Sequence, residues 1–424
     1  MNVLLLGSGG REHALAWRLT DSPLCKELYI APGNAGTAKL GTNLPASPTD
    51  FAAVKKAVLA NNISLVICGP EQPLVEGIQD FFAADRELQH VRFLGPSRGA
   101  AQLEGSKAYA KEFMQEFGIQ TAGYHAFTKE SLSEGLAYLD GSATPIVLKA
   151  DGLAAGKGVV ILNDRGEAKE ELSAMLNGKF GEASREVVIE DFLDGIEFSV
   201  FVLTDGKDFI TLPVAKDYKR IGVGDTGPNT GGMGSVSHPP FVDADLMATV
   251  EKKVVKPTLE GIQARGLDYR GFIFLGLILV DGEPYVIEYN VRMGDPETQS
   301  VLARLNTDLM QLALYATDRE VYRATVDIDE RQAATVVLVS GGYPGAYEKG
   351  KVITGLDAVQ GSYVFHAGTT TNESGEIITN GGRVLAVTSY GATFQKALQR
   401  SYENAKKIQF EGVQYRTDIG FDLV

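Results

Sequence analysis

The stretch from Gly271 to Arg292 leaves this chain the fewest folding choices. The ten residues Gly271-Phe272-Ile273-Phe274-Leu275-Gly276-Leu277-Ile278-Leu279-Val280 carry no charge, and Asp281-Gly282 separates them from Glu283-Pro284-Tyr285-Val286-Ile287-Glu288-Tyr289-Asn290. Two apolar runs joined by Asp-Gly predict a β-hairpin, because both turn residues must take positive φ and these two tolerate it. Side chains alternate along a strand, so Tyr285, Ile287, Tyr289 and Val291 are expected to face one way and Glu288, Asn290 and Arg292 the other. A carboxylate, an amide oxygen and a guanidinium then lie in a row at steps of about 7 Å. Oxygen donors of the first two kinds suit Mg²⁺, which takes one or two protein oxygens beside substrate phosphates. The guanidinium grips carboxylate or phosphate in a fork. The row reads as a nucleotide–metal site; the same pattern, on this strand alone, also fits a solvated sheet face.

At 424 residues the chain is too long for one ordinary core and is expected to form roughly two to four domains. Its 54 Asp and Glu exceed its 40 Lys and Arg, and a net charge of −14 repels a nucleic-acid backbone. Any phosphate site must therefore be local. Cys25 and Cys68, the only cysteines, form neither a disulfide framework nor a metal-ligand spacing, which suits a reducing cytosol. No apolar run reaches the length of a membrane span, and the short opening run Val3–Leu6 lacks a basic flank or cleavage pattern. It is expected to be the first strand of a cytoplasmic protein with no membrane partner.

Residues 1–104 alternate strands (Val3–Leu6, Leu28–Ile30, Leu65–Cys68, Val91–Leu94) with helices near His13–Leu19, Phe51–Asn61 and Leu74–Ala84. This alternation predicts βαβ units, a parallel sheet and sites at the strands' carboxyl ends. Gly7-Ser8-Gly9-Gly10-Arg11-Glu12 follows the first strand, but Glu12 replaces the third glycine of a dinucleotide fingerprint and Pro32-Gly33-Asn34 replaces its ribose-binding acid, so NAD is not expected. Gly9 and Gly10 before a helix, with Arg11, predict instead a small anion site for a phosphorylated substrate, or else a packing turn.

A helix is expected from Ser106 to Phe117, then a small α+β lid over about 122–192. Inside the lid, Lys149 leads into the loop Ala150-Asp151-Gly152-Leu153-Ala154-Ala155-Gly156-Lys157-Gly158. It is not a Walker A loop: only three residues separate Gly152 from Gly156, Gly158 replaces the Ser or Thr, and a strand follows. Several glycines with lysines between two strands predict a flexible phosphate cover. Glu190 and Glu197 flank an apolar bend and suit a base amine and ribose hydroxyls. Lys216-Asp217-Tyr218-Lys219-Arg220 precedes Thr226–Ser235, whose four glycines predict a mobile active-site loop or a linker. Asp243–Arg265 is expected to be helical with a break at Pro257, and Asp295 to cap the helix that Met293–Gln299 opens. Beyond about Ala324, strands Ala334–Val339 and Val384–Thr388 and helix Ala392–Lys407 predict a third, α+β unit whose lone His366 is structural. The expected domains are 1–104, 105–325 including the lid, and 326–424.

Taken in order, Gly7–His13, Pro32–Thr37, Gly69-Pro70-Glu71, Ala101–Lys107, Lys149–Gly158, Asp225–Gly234, Glu288–Glu297 and Asn380–Val384 resemble the glycinamide ribonucleotide synthetase (phosphoribosylamine–glycine ligase) family of ATP-grasp ligases nearly end to end. The resemblance implies a multidomain α/β and α+β ATP-grasp fold. It also implies that ATP, Mg²⁺ or Mn²⁺, glycine and 5-phosphoribosylamine give glycinamide ribonucleotide, ADP and phosphate through glycyl phosphate, with no obligate protein partner evident. By the same resemblance Lys107 and Lys149 contact ATP under the Gly156-Lys157-Gly158 cover, Glu190 and Leu193 hold adenine, Glu197 the ribose, and Glu288 with Asn290 the metal. Arg292 is expected on the glycine carboxylate, Asp217 and Asp295 on its ammonium, and Lys219 and Arg220 on the transferred phosphoryl group. Gly9, Gly10, Arg11 and Glu71 fall to the sugar-phosphate side. One departure from ATP-grasp enzymes at large is that Gly271–Val280 holds no further acidic metal ligand, which leaves the number of ions open.

Overall fold

The computed structural model describes residues 1–154 and 158–423. The N-terminal part is a parallel sheet in the order Thr42–Asn43, Glu27–Pro32, Asn2–Gly7, Ile63–Cys68, Arg92–Leu94. Its central strand is an unbroken apolar run because both faces are covered: Val3 and Leu5 pack into one core, Leu4 and Leu6 into another. The helix expected over Leu74–Ala84 starts earlier and is two helices, Glu71–Glu76 and Ile78–Ala84, divided at Gly77 with φ 97°.

The hairpin forms as the sequence predicts. Strands Gly271–Val280 and Glu283–Asn290 pair antiparallel across Asp281 (φ 49°) and Gly282 (φ 81°), and strands Ile196–Thr204 and Phe209–Thr211 extend the sheet. The expected alternation fails at one place. Gly276 pairs with Glu288 but Leu277 pairs with Val286, so Ile287 is an extra, bulged residue. Val286 therefore joins Tyr289 in the core with Leu275 and Leu277, and Tyr285 shares the opposite face with Glu288 and Asn290. The second strand thus keeps its polar pair on one face while its apolar partners change register.

The lid is a four-stranded sheet, Tyr124–Thr128, Glu186–Asp191, Ile146–Ala150, Val159–Leu162. One face, with Phe127, Ile146, Leu148, Val187 and Ile189, packs on helices Leu132–Gly141 and Arg165–Leu176. The other face carries Lys149 and Glu190, placed together because Glu190 pairs with Val147, two residues before Lys149. Between Asp243 and Arg265 the helix is interrupted by a π-turn at Glu251–Val255, just before Pro257, whose missing N–H leaves an upstream carbonyl without its usual donor. The segment expected as a mobile loop has strand geometry: Arg220–Gly222 pairs with Thr226–Asn229, and Gly234–Ser237 enters a larger sheet. That sheet runs Lys216–Asp217, Gly234–Ser237, Gln332–Val339, Arg383–Gly391, Tyr363–His366, so the C-terminal strands complete a sheet that begins in the middle of the chain. Helix Phe394–Ala405 covers it.

A Cβ at Gly282 meets nothing within 4 Å, so Gly282→Val tests backbone strain alone. A left-handed residue costs roughly 1–2 kcal/mol, and the stability from urea titration is expected to fall by that amount through a lower midpoint, with no change in the denaturant slope.

Candidate active site

The site's floor is one face of the central sheet. Cross-strand pairing aligns Glu197 with Ile278, Ser199 with Gly276 and Gly276 with Glu288, and Phe274 with Asn290. Gly276 leaves a bare place between Ser199 and Glu288, and a Cβ there stands 3.0 Å from the Glu288 Cγ. Asn290 is buried with Nδ2 3.5 Å from Glu288 Oε1. Among the described residues no three His, Cys, Asp or Glu side chains cluster as a ready metal cage. Glu288 and Asn290 thus fit a hard cation that takes its other ligands from phosphate and water; the amide need only turn its oxygen toward Glu288.

Above this floor, Lys219 Nζ lies 2.9 Å from Glu197 Oε2 and 3.0 Å from Asp217 Oδ1. Burial opposes its charge, but Asp217, Glu197 and Glu288 outweigh burial and raise its pKa. Arg220 turns away, donating to Gly227 O at 2.8 Å across its own hairpin, so it does not join Lys219. Glu297, to which no local sequence pattern gives a role, is buried with Oε1 3.4 Å from Ser199 Oγ. Burial and then Asp217 push its pKa up.

Two lid residues, Glu190 and Lys149, form a buried triad with Lys111 of helix Lys107–Glu116. Glu190 Oε2 takes Lys149 Nζ at 2.9 Å and Lys111 Nζ at 3.1 Å. Burial favours a neutral Glu190, yet the two lysines outweigh it and keep the carboxyl below its ordinary range. Lys111 falls to about 8, mainly through burial. Among the described residues Glu190 Oε1 has no hydrogen-bond partner. Lys149 also reaches Ile287 O, the bulge carbonyl, at 3.4 Å, and Lys107 lies 3.4 Å from Asp151 O and Gly152 O. Leu193 is half-buried on the bend after Glu186–Asp191. Gly156 and Lys157 lie outside the described residues; Gly158 closes the hairpin by accepting from Ala150 N at 2.8 Å.

A chain of buried and half-buried charges separates this cleft from the N-terminal loops. Arg292 Nη2 binds Glu104 Oε1 at 2.6 Å, Arg292 Nε lies 3.3 Å from Glu71 Oε2, and Glu104 Oε2 accepts Val291 N at 2.7 Å. Arg11, expected to face an anion, is buried: its Nε binds Glu12 Oε1 at 2.6 Å and its Nη1 donates to Met293 O at 3.1 Å. Gly9 N–H donates to Glu12 Oε2 at 2.6 Å. The residue in the third-glycine position thus occupies the donors expected to bind phosphate. Glu12 fits because Gly7 and Gly69 are bare, a Cβ at either coming within 2.5 Å and 2.1 Å of its side chain. Burial would raise Glu71, but Arg292 and Arg11 outweigh it and bring it down to about 2. Burial pushes Glu104 up to about 7, with Arg292 opposing and Glu71 adding.

Beyond this chain is a cavity of about 280 Å³ bordered by Ser8, Gly9, Asn34, Thr369, Asp295 and Arg383. Gly9 reaches it; Gly10 packs instead against Gln299 and Asp295. Asp295 does not cap helix Glu297–Arg304: Pro296 holds that position, and Asp295 pairs with Arg383 Nη2 at 3.1 Å and accepts Gln299 Nε2 at 2.8 Å. It therefore stands apart from Asp217, with the buried Glu297 feeling both carboxylates.

A family model described as phosphoribosylglycinamide synthetase matches in three parts, its N domain over residues 1–104, its ATP-grasp domain over 105–298 and its C domain over 333–422. The phosphoribosylamine–glycine ligase of Yersinia pestis is 46% identical over 430 residues, covering all of this chain and 99% of that protein. The chain belongs to the phosphoribosylglycinamide synthetase family. The Escherichia coli K12 phosphoribosylamine–glycine ligase is 44% identical over 430 residues, with the same coverage. A crystal structure of phosphoribosylamine–glycine ligase from Thermotoga maritima superposes with a TM-score of 0.85 at 38% identity, over 99% of this chain and 100% of that one. An N5-carboxyaminoimidazole ribonucleotide synthetase bound to ADP, 17% identical with a TM-score of 0.66 over 95% of this chain and 96% of that one, shares the fold. The chain is thus an ATP-dependent ligase of purine biosynthesis joining glycine to phosphoribosylamine.

For a phosphoribosylglycinamide synthetase, three important residues here have no standing in local sequence pattern. Glu104, Glu297 and Arg383 all lie in segments that carry the family resemblance, and that was their only signal. Arg292→Met removes the cation between Glu71 and Glu104 and is expected to cost about 3–5 kcal/mol at neutral pH. Glu104→Gln, replacing a carboxyl already pushed up to about 7, is expected to cost only about 1 kcal/mol. In Arg292→Met the Glu104 carboxyl, already pushed up to about 7, loses the cation that opposed the rise, so the folded state binds more protons and stability falls as pH rises from about 5 to 8. Urea titrations at several pH values check the order and the sign.

Proposed function

We propose that ligation runs through glycyl phosphate over the Ser199–Gly276–Glu288 floor, with Glu288 and Asn290 holding Mg²⁺ or Mn²⁺. The observation that carries this reading is the gap at Gly276, bordered by a carboxylate and an amide on one sheet face, with Lys219, bound to Glu197 and Asp217, feeling the Glu288 charge. The cation, when bound, neutralises charge on the phosphoryl oxygens. ATP lies between lid and floor. Its adenine amine donates to Glu190 Oε1, Leu193 packs on the base, Glu197 binds ribose, and Lys107 and Lys149 meet the phosphates. Gly156, Lys157 and Gly158 cover them.

A glycine carboxylate oxygen attacks the γ-phosphorus and ADP leaves, giving glycyl phosphate. Arg292 orients that carboxylate, Asp217 accepts from glycine's ammonium, and Lys219 balances the charge that builds during transfer. The amine of 5-phosphoribosylamine then attacks the acyl carbon, phosphate leaves, and the nitrogen loses a proton. The sugar phosphate occupies the cavity beside Ser8, Gly9 and Thr369, with Arg383 as its cation and Asp295 in the wall nearest the amine. Glu71 and Arg11 act through Arg292 and Glu12 rather than on substrate. The setting is the cytoplasm, in keeping with two unpaired cysteines, Cys25 half-buried and Cys68 buried.

Omitting glycine, phosphoribosylamine or ATP in turn is expected to abolish ADP release; release with a different acid and amine but not with these two rejects the assignment. Glu288→Ala is expected to lower turnover at least about a hundredfold, equivalent to about 3 kcal/mol, and to raise the metal concentration needed for half-maximal nucleotide binding. An unchanged metal titration removes Glu288 from the cation site.

A further inference from the structure

The cavity on the amine side has walls from opposite ends of the chain, the Ser8–Gly9 loop and the Ala367–Thr369 loop. One side chain joins them. Asn34, only 6% exposed, donates from Nδ2 to Ser8 O at 2.8 Å and to His366 O at 2.8 Å. Its Oδ1 accepts Gly36 N at 2.8 Å and Thr37 N at 3.0 Å. Every hydrogen-bonding valence of the amide is used. The two carbonyls it bridges are both acceptors and cannot bond one another, so without the amide two carbonyls are left unpaired against each other at the cavity rim.

The tie is stiffened from both sides. Gly33 holds φ 71°, where a Cβ stands 2.2 Å from Asn43 Oδ1, and Asn43 Nδ2 donates to Asn34 O at 2.8 Å. On the far loop, His366 N–H donates to His13 Nδ1 at 2.7 Å, so residue 366 is held through its N–H by one N-terminal side chain and through its carbonyl by another. Burial, with smaller effects from His366 and Lys39, lowers His13 to about 3, which keeps Nδ1 an acceptor at neutral pH. Thr369 Oγ1 lies 3.0 Å from His366 Nδ1, carrying the constraint to the cavity wall.

We propose that Asn34 is a positioning residue for phosphoribosylamine, fixing the gap between the Ser8–Gly9 and Ala367–Thr369 walls through its two amide N–H bonds; this rests on the reading of that cavity as the sugar-phosphate site. Asn34→Ser and Asn34→Asp separate this role from a local one. Both keep an oxygen for Gly36 N and Thr37 N, and neither donates to both carbonyls. Each is expected to raise the KM for phosphoribosylamine and the calorimetric Kd for glycinamide ribonucleotide at least about tenfold, leaving the KM values for ATP and glycine within about twofold. Unchanged product affinity, a parallel rise in all three KM values, or failure of both variants to fold overturns the proposal. Ser8→Phe, which adds bulk at a residue lining the cavity, separates the two readings. If it leaves product affinity intact, the cavity is not the sugar-phosphate site. If it abolishes binding while the Asn34 variants bind normally, the cavity reading stands and the role of Asn34 falls.

Discussion

A line of five charged side chains, with Glu104, Arg11 and Glu12 buried and Arg292 and Glu71 half-buried between them, is the constraint on which the arrangement of this enzyme depends. Each of the buried ions loses several kcal/mol of hydration, recovered only if its partners stay within hydrogen-bond reach. The partners come from the first sheet, the helix after it and the end of the central hairpin. None of these pieces can shift without stranding a charge. Met293 O, accepting from both Arg11 and Arg292, ties the line to the turn that leads to Asp295 and Glu297. The central hairpin and the N-terminal loops are thereby tied to one another.

The bulge at Ile287 does for one strand what that ion line does between domains. It lets Val286 and Tyr289 fill a core while Glu288 and Asn290 stay on the open face, and it leaves the Ile287 carbonyl near Lys149 of the lid. A perfectly alternating strand would put only one of those demands in register. Bulges beside active sites commonly re-aim a side chain, and here the re-aimed ones are apolar while the polar pair keeps its place.

Much of this was legible in the sequence where one residue sufficed to carry the signal. Asp281-Gly282 specified its turn, and the runs at Val3–Leu6 and Leu65–Cys68, alternating with helices, specified a parallel sheet; that the strands of Lys149 and Glu190 pair is visible only in the fold. What escaped depended on partners far away in the chain. Arg11 reads as an exposed cation until Glu12 and Met293 are placed beside it, and Asp295 reads as a helix cap until Arg383 arrives from nearly ninety residues on, at a separation of 88. Thr226–Asn229 has no hydrophobic period, because its strand is a two-stranded ribbon held by backbone bonds and Arg220 rather than by a core. The bulge had no signal at all in a run of suitable strand formers.

The larger C-terminal sheet has an implication for how such a protein can be rearranged. Its outer strands, Lys216–Asp217 and Gly234–Ser237, belong to the chain's middle, so the last hundred or so residues are not a self-sufficient module. Grafted elsewhere alone, they would present the Gln332–Val339 strand as a raw edge, inviting aggregation. Inheritance, gene fusion and engineering must therefore carry the two regions together, because the middle of the chain and its tail complete one sheet.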